Sequence, residues 1–123
     1  NNLGTVTAGT FEGTLNSSTT FSGNAGEITA KIWCRYNQST PAIGDSYGVS
    51  SVTDVSTGRW KTNFTTNMAN AYYCVQYTAE DDRFQTIDTS ATALVGSVQC
   101  RTTHYNGNSY DQSLNNVLIF GDQ

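Results

Sequence analysis

The chain has 123 residues, a mass of 13.3 kDa and a formal net charge of −4. Thr, Ser, Asn and Gly account for 54 of these residues, whereas only 13% are charged and one is Pro. This length leaves no room for two full cores, and the composition favours short strands and turns over helices. We therefore expect one β-rich domain, which excludes a multidomain enzyme.

Residues 1–26 are rich in Gly, Thr and Ser and have neither a strand period nor a helix period. Their few apolar side chains do not offset an ordering cost of roughly 1 to 2 kcal/mol per residue. A flexible linker is one interpretation. We favour an extended arm whose large apolar residues are buried between copies of the chain. The residues expected at that interface are Val6, Phe11, Leu15 and Phe21.

From Glu27 onward, apolar and polar residues alternate with the period of half-buried strands. Strands are predicted over 27–36, 46–55, 59–64, 71–79, 84–87, 94–102 and 116–120, with a bulge near Ser50 and Ser51. The residues expected to face the core include Ile32, Cys34, Tyr36, Trp60, Thr62, Phe64, Tyr73, Val75, Tyr77, Val98, Cys100 and Thr102. Residues 27–123 are therefore predicted to form an antiparallel, jelly-roll-like β-sandwich, and with the arm a trimer.

Charge and hydropathy limit the partners of this domain. Six Lys and Arg residues against ten Asp and Glu residues, with no basic run, argue against nucleic acid. No apolar run approaches the ~20 residues of a membrane span, so we expect no membrane insertion.

Cys34, Cys74 and Cys100 lack the close spacing of metal or redox motifs. We favour three buried, unpaired cysteines over one disulfide with a leftover thiol.

A serine-hydrolase pattern occurs in the sequence. Residues 44–48 read Gly-Asp-Ser-Tyr-Gly, and Asp88 and His104 follow in the order of an α/β-hydrolase triad. A nucleophile elbow needs a strand before the serine and a helix after it, whereas more predicted strand follows Ser46 here. We interpret the pattern as a coincidence and keep an esterase built on Ser46 as a remote alternative.

Metal and cofactor sites have little support. His104 is the only histidine, so one chain has no multi-histidine site, although a trimer could place three copies around its axis. The acidic run 80–82 lacks the spaced ligands of a calcium loop and is interpreted as a solvated turn. We expect no metal and no cofactor.

Exposed aromatic residues supply the candidate binding positions. The Asn106-Gly107 pair predicts a type I′ turn at the tip of a hairpin, where aromatic rings and amides suit contact with a glycan or a protein. The candidate ligand-binding residues are His104, Tyr105, Asn106, Asn108 and Tyr110. Trp33 and Tyr72 are predicted to point away from the core, and we favour an oligomer interface over glycan contact for both.

Residues 25–82 resemble a domain found at the C-terminal ends of fibre and virion proteins of tailed bacteriophages. The ending VLIFG, at 117–121, is similar to the closing strand of that domain, and residues 4–21 resemble the threads that join it to a fibre shaft. Cys34 and Cys74 stand where Val is more usual, and residues 80–115 match little. The resemblance rests on Lys31, Trp33, Tyr36, Ile43, Asp45, Ser46, Tyr47, Val49, Ser50, Ser51, Val52, Thr53, Asp54, Gly58, Trp60, Phe64, Thr65, Met68, Ala71 and Tyr73.

The resemblance implies a non-enzymatic, homotrimeric β-domain located in a virion. We expect a tail-fibre or other surface-appendage module that contacts a host-surface glycan or outer-membrane component. Its further partners would be copies of itself and other virion proteins. The main alternative is a capsid-decoration or fibre-assembly module that has no receptor of its own.

Overall fold

The computed structural model describes residues 29–91 and 93–123, and this part of the chain forms eight β-strands and no helix. All pairings between neighbouring strands are antiparallel, which confirms the expected all-β class. The strands are β1 (Ile32–Asn37), β2 (Ala42–Tyr47), β3 (Val49–Ser56), β4 (Arg59–Phe64), β5 (Cys74–Ala79), β6 (Arg83–Ile87), β7 (Ser97–His104) and β8 (Asn115–Phe120).

The strands are arranged in two sheets of four. The first sheet has the order β2-β1-β8-β5, and the second has the order β3-β4-β7-β6. The pairs β1–β2, β3–β4 and β6–β7 are hairpins that each stay within one sheet. This connectivity departs from the jelly-roll expectation, because successive strands of a jelly roll mostly alternate between the two sheets.

One core joins the facing sides of the two sheets. The ring of Tyr36 on β1 lies 5.5 Å from that of Trp60 on β4, and Tyr77 on β5 meets Trp60 edge-on at 5.9 Å. Burial of these side chains and of the β-branched residues around them supplies the main stabilising term. The buried hydrophobic residues are Ile32, Cys34, Tyr36, Trp60, Phe64, Met68, Val98, Cys100, Val117 and Ile119.

The chain changes sheet at Gly48, where the sequence predicted one continuous strand over 46–55. Gly48 has φ +69°, and a Cβ there would lie 2.5 Å from the carbonyl oxygen of Lys31. This corner therefore requires glycine, and it splits the predicted strand into β2 and β3. The predicted bulge is confirmed, since the pairing of β3 with β4 shifts between Val49 and Ser51.

Three strands begin later than the alternation predicted. β1 begins at Ile32, β5 at Cys74 and β7 at Ser97. At β7 the reason is local, because Leu94 and Ser97 exchange main-chain hydrogen bonds of 2.9 and 3.3 Å and close a turn. The inward faces of β4 and β7 are confirmed, with Trp60, Thr62, Phe64, Val98, Cys100 and Thr102 all buried.

The cysteines differ from one another. Cys34 and Cys100 are buried and unpaired, and burial raises the pKa of the first thiol to about 11 and of the second to about 12. Cys74 is also unpaired but exposed, because it lies on the outward face at the start of β5. The expectation of burial is therefore wrong for Cys74.

The predicted arm, residues 1–26, lies outside the described residues. The four apolar residues assigned to an interface between copies of the chain lie outside them as well. These are Val6, Phe11, Leu15 and Phe21.

Candidate functional site

The hairpin tip between β7 and β8 closes on a three-residue loop, residues 105–107. The main-chain N–H of His104 donates to the carbonyl oxygen of Asn108 at 2.9 Å, and that of Gly107 donates to the carbonyl oxygen of His104 at 2.8 Å. Gly107 has φ +83°, whereas Asn106 does not have a positive φ. The predicted two-residue type I′ turn is therefore wrong, because only one residue adopts the left-handed conformation that both central positions would need.

Asn106 stabilises this loop with its side chain. Its Oδ1 accepts a hydrogen bond of 3.0 Å from the main-chain N–H of Asn108. This is the local bond by which Asn commonly fixes a turn. Both asparagines are exposed, so the Asn106 Nδ2 group and the Asn108 amide remain open to solvent.

His104 is held inward at the base of the tip. Its side chain is 14% exposed, and its Nε2 lies 2.6 Å from Oδ2 of Asp82 in the turn before β6. The hydrogen bond with His104 is the main cause that lowers the pKa of Asp82. His104 therefore supports the tip and offers little surface to a ligand.

Arg83 holds Tyr110 from the same turn. Its guanidinium carbon lies 4.4 Å from the ring centroid of Tyr110, a cation–π geometry. Its Nη1 lies 3.1 Å from Oδ1 of Asp82. With the Gln112 amide oriented so that both of its ends are satisfied, Arg83 Nε donates to it at 3.0 Å, and the amide donates to Glu80 at 3.1 Å.

Glu80 attaches the β5–β6 turn to the segment that leads into β8. Its Oε1 accepts hydrogen bonds of 2.8 Å from the Ser113 main chain and 2.7 Å from the Ser113 hydroxyl. These bonds are the main cause that lowers the pKa of Glu80. Within the acidic run, Asp81 lacks such a bond in the described part of the chain, and the side chain of Asp82 is 61% exposed. The interpretation of 80–82 as a solvated turn therefore holds for Asp81 and Asp82, whereas Glu80 is held by Ser113.

The structure brings the five predicted tip residues together but exposes them unequally. Tyr105 is 78% exposed, and its ring centroid lies 4.0 Å from that of His104. Tyr110 is 36% exposed. Sequence reasoning missed Asp82 and Arg83, and no local signal could have found them, because they lie more than 20 residues from the tip along the chain.

The three residues of the hydrolase pattern do not form a triad. Ser46 lies in β2 with β3 following after Gly48, so the motif has strand on both sides. Asp88 accepts hydrogen bonds from Ser90 and Gln99, whereas His104 is bonded to Asp82.

The other sequence expectations concern metals, membranes and the outward aromatic residues. Residues 29–91 and 93–123 contain no group of three or more His, Cys, Asp or Glu side chains placed to hold a metal ion. No helix in this part of the chain is long and apolar enough to cross a membrane.

The two aromatic residues that were expected to point away from the core are both exposed. Trp33 is 37% exposed on the outer face of the first sheet. Tyr72 is 95% exposed before β5, at the opposite end of the domain from the tip.

Comparison of the chain with protein-family models, with curated proteins and with solved structures finds no match.

Proposed function

We propose that the chain is a structural protein of a bacteriophage virion, an attachment module of a tail fibre or similar external appendage. The observation that supports this most is the tip itself. Tyr105 is 78% exposed on the hairpin tip, and its neighbours His104 and Tyr110 are held from behind by Asp82 and Arg83. An exposed aromatic ring on a preorganised loop is a common arrangement for recognition.

The tip suits contact with a host-surface glycan or an outer-membrane component. The face of the Tyr105 ring offers apolar surface, and the amides of Asn106 and Asn108 beside it offer hydrogen-bond donors and acceptors. No charged side chain forms the outermost part of the loop over 105–109. A neutral or weakly polar surface group is therefore the expected ligand at each tip.

A homotrimer would make such a small site effective. Three linked sites raise avidity by about 10² to 10⁴ without any new contact. In this proposal the arm, residues 1–26, joins the copies to one another and to other virion proteins. The interface residues proposed are Val6, Phe11, Leu15, Phe21 and Tyr72.

Two binding assays test the proposal. The first measures adsorption of the fluorescently labelled chain to a panel of bacterial cells, and the second measures its binding to a microarray of bacterial surface polysaccharides. We expect Tyr105→Ala to abolish binding and Phe84→Ala, which removes an exposed ring from the outer face of the second sheet, to retain it. Binding that survives replacement of residues 103–111 would remove the tip assignment. A chain that binds no cell and no polysaccharide would favour the decoration or assembly alternative, and a monomer by light scattering would contradict the trimer.

A further inference from the structure

The outer face of the first sheet carries a groove of about 500 Å³ that crosses all four of its strands. Cross-strand register builds it, because residues directly opposite one another on paired strands point to the same face. Trp33 lies opposite both Tyr47 and Leu118. The next row contains Asp45, Arg35, Asn116 and Thr78, and Gln76 lies beyond Leu118.

Three polar side chains of the groove, those of Arg35, Asp45 and Gln76, keep groups open to a ligand, whereas Asn116 Nδ2 donates to the Thr78 hydroxyl at 3.0 Å. Arg35 and Asp45 are paired in register but form no ion pair within the described part of the chain. The side chains of Arg35 and Gln76 make no hydrogen bond there. Asp45 uses only one oxygen, which accepts from the Ser46 main chain at 2.8 Å.

A second depression, of about 420 Å³, continues the groove along the sheet. Arg35 and Asp45 line both, and the second extends past Gly44 to Ser113. The combined shape fits an elongated ligand better than a single compact molecule.

We propose that this groove binds an extended, uncharged oligosaccharide. The ring of Trp33 provides an apolar platform for the C–H face of a sugar. Arg35 and Gln76 donate hydrogen bonds to its hydroxyl groups and Asp45 accepts from them. Arg35 and Asp45 carry opposite charges, so the site as a whole favours a neutral ligand.

A second copy of the chain, which the sequence analysis favoured for Trp33, is the competing occupant, and it fits less well. The core of a protein interface is depleted of charged residues, whereas Arg35 and Asp45 stand unpaired in the middle of this groove. Covering them with protein would desolvate both charges. The sugar site is separate from the hairpin tip and does not depend on the function proposed for the tip.

Tryptophan fluorescence measures occupancy of the groove directly. The chain has two tryptophans: Trp33 is partly exposed in the groove, and Trp60 is fully buried in the core. We expect cellohexaose or chitohexaose to shift the tryptophan emission to shorter wavelength. We also expect either sugar to reduce the quenching of Trp33 fluorescence by acrylamide. Trp33→Phe should remove the signal, because the remaining Trp60 is already shielded.

Calorimetric titrations of the full chain assign the binding to the groove. We expect Trp33→Ala, Arg35→Gln and Gln76→Ala each to weaken hexasaccharide binding at least about tenfold. Phe84→Ala, which removes an exposed ring from the outer face of the second sheet, and Tyr105→Ala at the tip should leave it unchanged. Circular dichroism verifies that each variant is folded.

Three results would overturn this proposal. The first is that neither hexasaccharide binds the wild-type chain up to about 10 mM. The second is that Phe84→Ala weakens binding as much as Trp33→Ala does. The third is concentration-dependent self-association that Trp33→Ala abolishes, which would assign the face to a second copy of the chain. Loss of cell binding in Tyr105→Ala with unchanged hexasaccharide binding would separate the tip from the groove.

Discussion

The main-chain N–H of Gly58 donates a hydrogen bond of 2.7 Å to Oδ1 of Asp111, which joins the β3–β4 turn to the segment that follows the hairpin tip. The contact is close on both sides, because the carbonyl oxygen of Gly58 accepts from the Thr102 main chain at 2.7 Å. A Cβ on Gly58 would stand 2.7 Å from the Thr102 carbonyl oxygen and 2.8 Å from the Tyr110 nitrogen. Because Gly58 has no side chain, the β3–β4 turn can pack directly against the main chain on both sides of the hairpin tip.

Gly58→Ala is expected to destabilise the domain by about 2 to 4 kcal/mol. Gly58 has φ +67°, so alanine would be strained there, and the added carbon would also displace main-chain atoms. Gly107→Ala is the matched control, because Gly107 has φ +83° but no atom within 4 Å of its added carbon. Gly107→Ala is expected to lower the free energy of unfolding by about 1 kcal/mol, which is the cost of the left-handed backbone conformation alone.

Urea unfolding followed by circular dichroism measures both free energies. The difference between the two variants isolates the steric contribution at Gly58. Equal losses in Gly58→Ala and Gly107→Ala would show that the close approach of the two segments contributes nothing.

Asn115, at the start of β8, is a fully buried amide whose removal should be costly. Its Nδ2 donates to the carbonyl oxygens of Tyr36 at 3.1 Å and Gln112 at 2.9 Å, and its Oδ1 accepts from Gln85. Asn115→Ala is expected to cost about 2 to 3 kcal/mol, because it leaves these buried groups without partners. Asn116→Ala, its outward neighbour on β8, should cost about 0.5 kcal/mol or less. Similar losses in the two variants would contradict this account.

Acidic pH should weaken the hydrogen bonds by which Asp82 and Glu80 hold the hairpin tip. Hydrogen bonds from His104 lower the pKa of Asp82 below its ordinary 3.8, and those from Ser113 lower the pKa of Glu80 below 4.5. Each carboxylate therefore stabilises the folded state fully above its ordinary pKa, and this contribution is lost as the pH falls through the lowered value. We expect the unfolding free energy to fall between about pH 5 and about pH 3.

The double variant Asp82→Asn, Glu80→Gln should lose less stability than the wild type over that pH interval. Asp81→Asn serves as the control, because Asp81 makes no side-chain hydrogen bond in the described part of the chain. Urea titrations at the two pH values measure the effect. An unchanged acid response in the double variant would show that other carboxylates, such as the buried Asp88, account for it.

Alternation in the sequence predicted the strands of the core well, because burial on one face imposes a period of two wherever a strand crosses the core. Trp60, Thr62 and Phe64 on β4 are the clearest case, and all three are buried. Alternation did not predict where a strand leaves its sheet. That depends on tertiary contacts, such as the approach of Gly48 to the Lys31 carbonyl oxygen, which no local pattern records.

The candidate sites were predictable only in part, for the same physical reason. Tyr105 and Trp33 could be recognised as outward aromatic residues from their place in a loop and in an alternating strand. Their partners could not, because Asp82 reaches His104 across 22 residues, and Gln76 reaches the groove of Trp33 only through the order of strands in the first sheet. Strand order is set by packing of the whole chain, which a single sequence window does not contain.

The three cysteines should differ in reactivity because only one of them meets solvent. The thiolate is the reactive form, and burial raises the pKa of Cys34 to about 11 and of Cys100 to about 12, so both remain protonated and shielded. Cys74 is exposed and unpaired. Ellman's reagent at about pH 8 should label one thiol in the native chain and three in denaturant. Cys74→Ser should abolish the native labelling, and rapid native labelling of two thiols would show that a buried cysteine becomes exposed in solution.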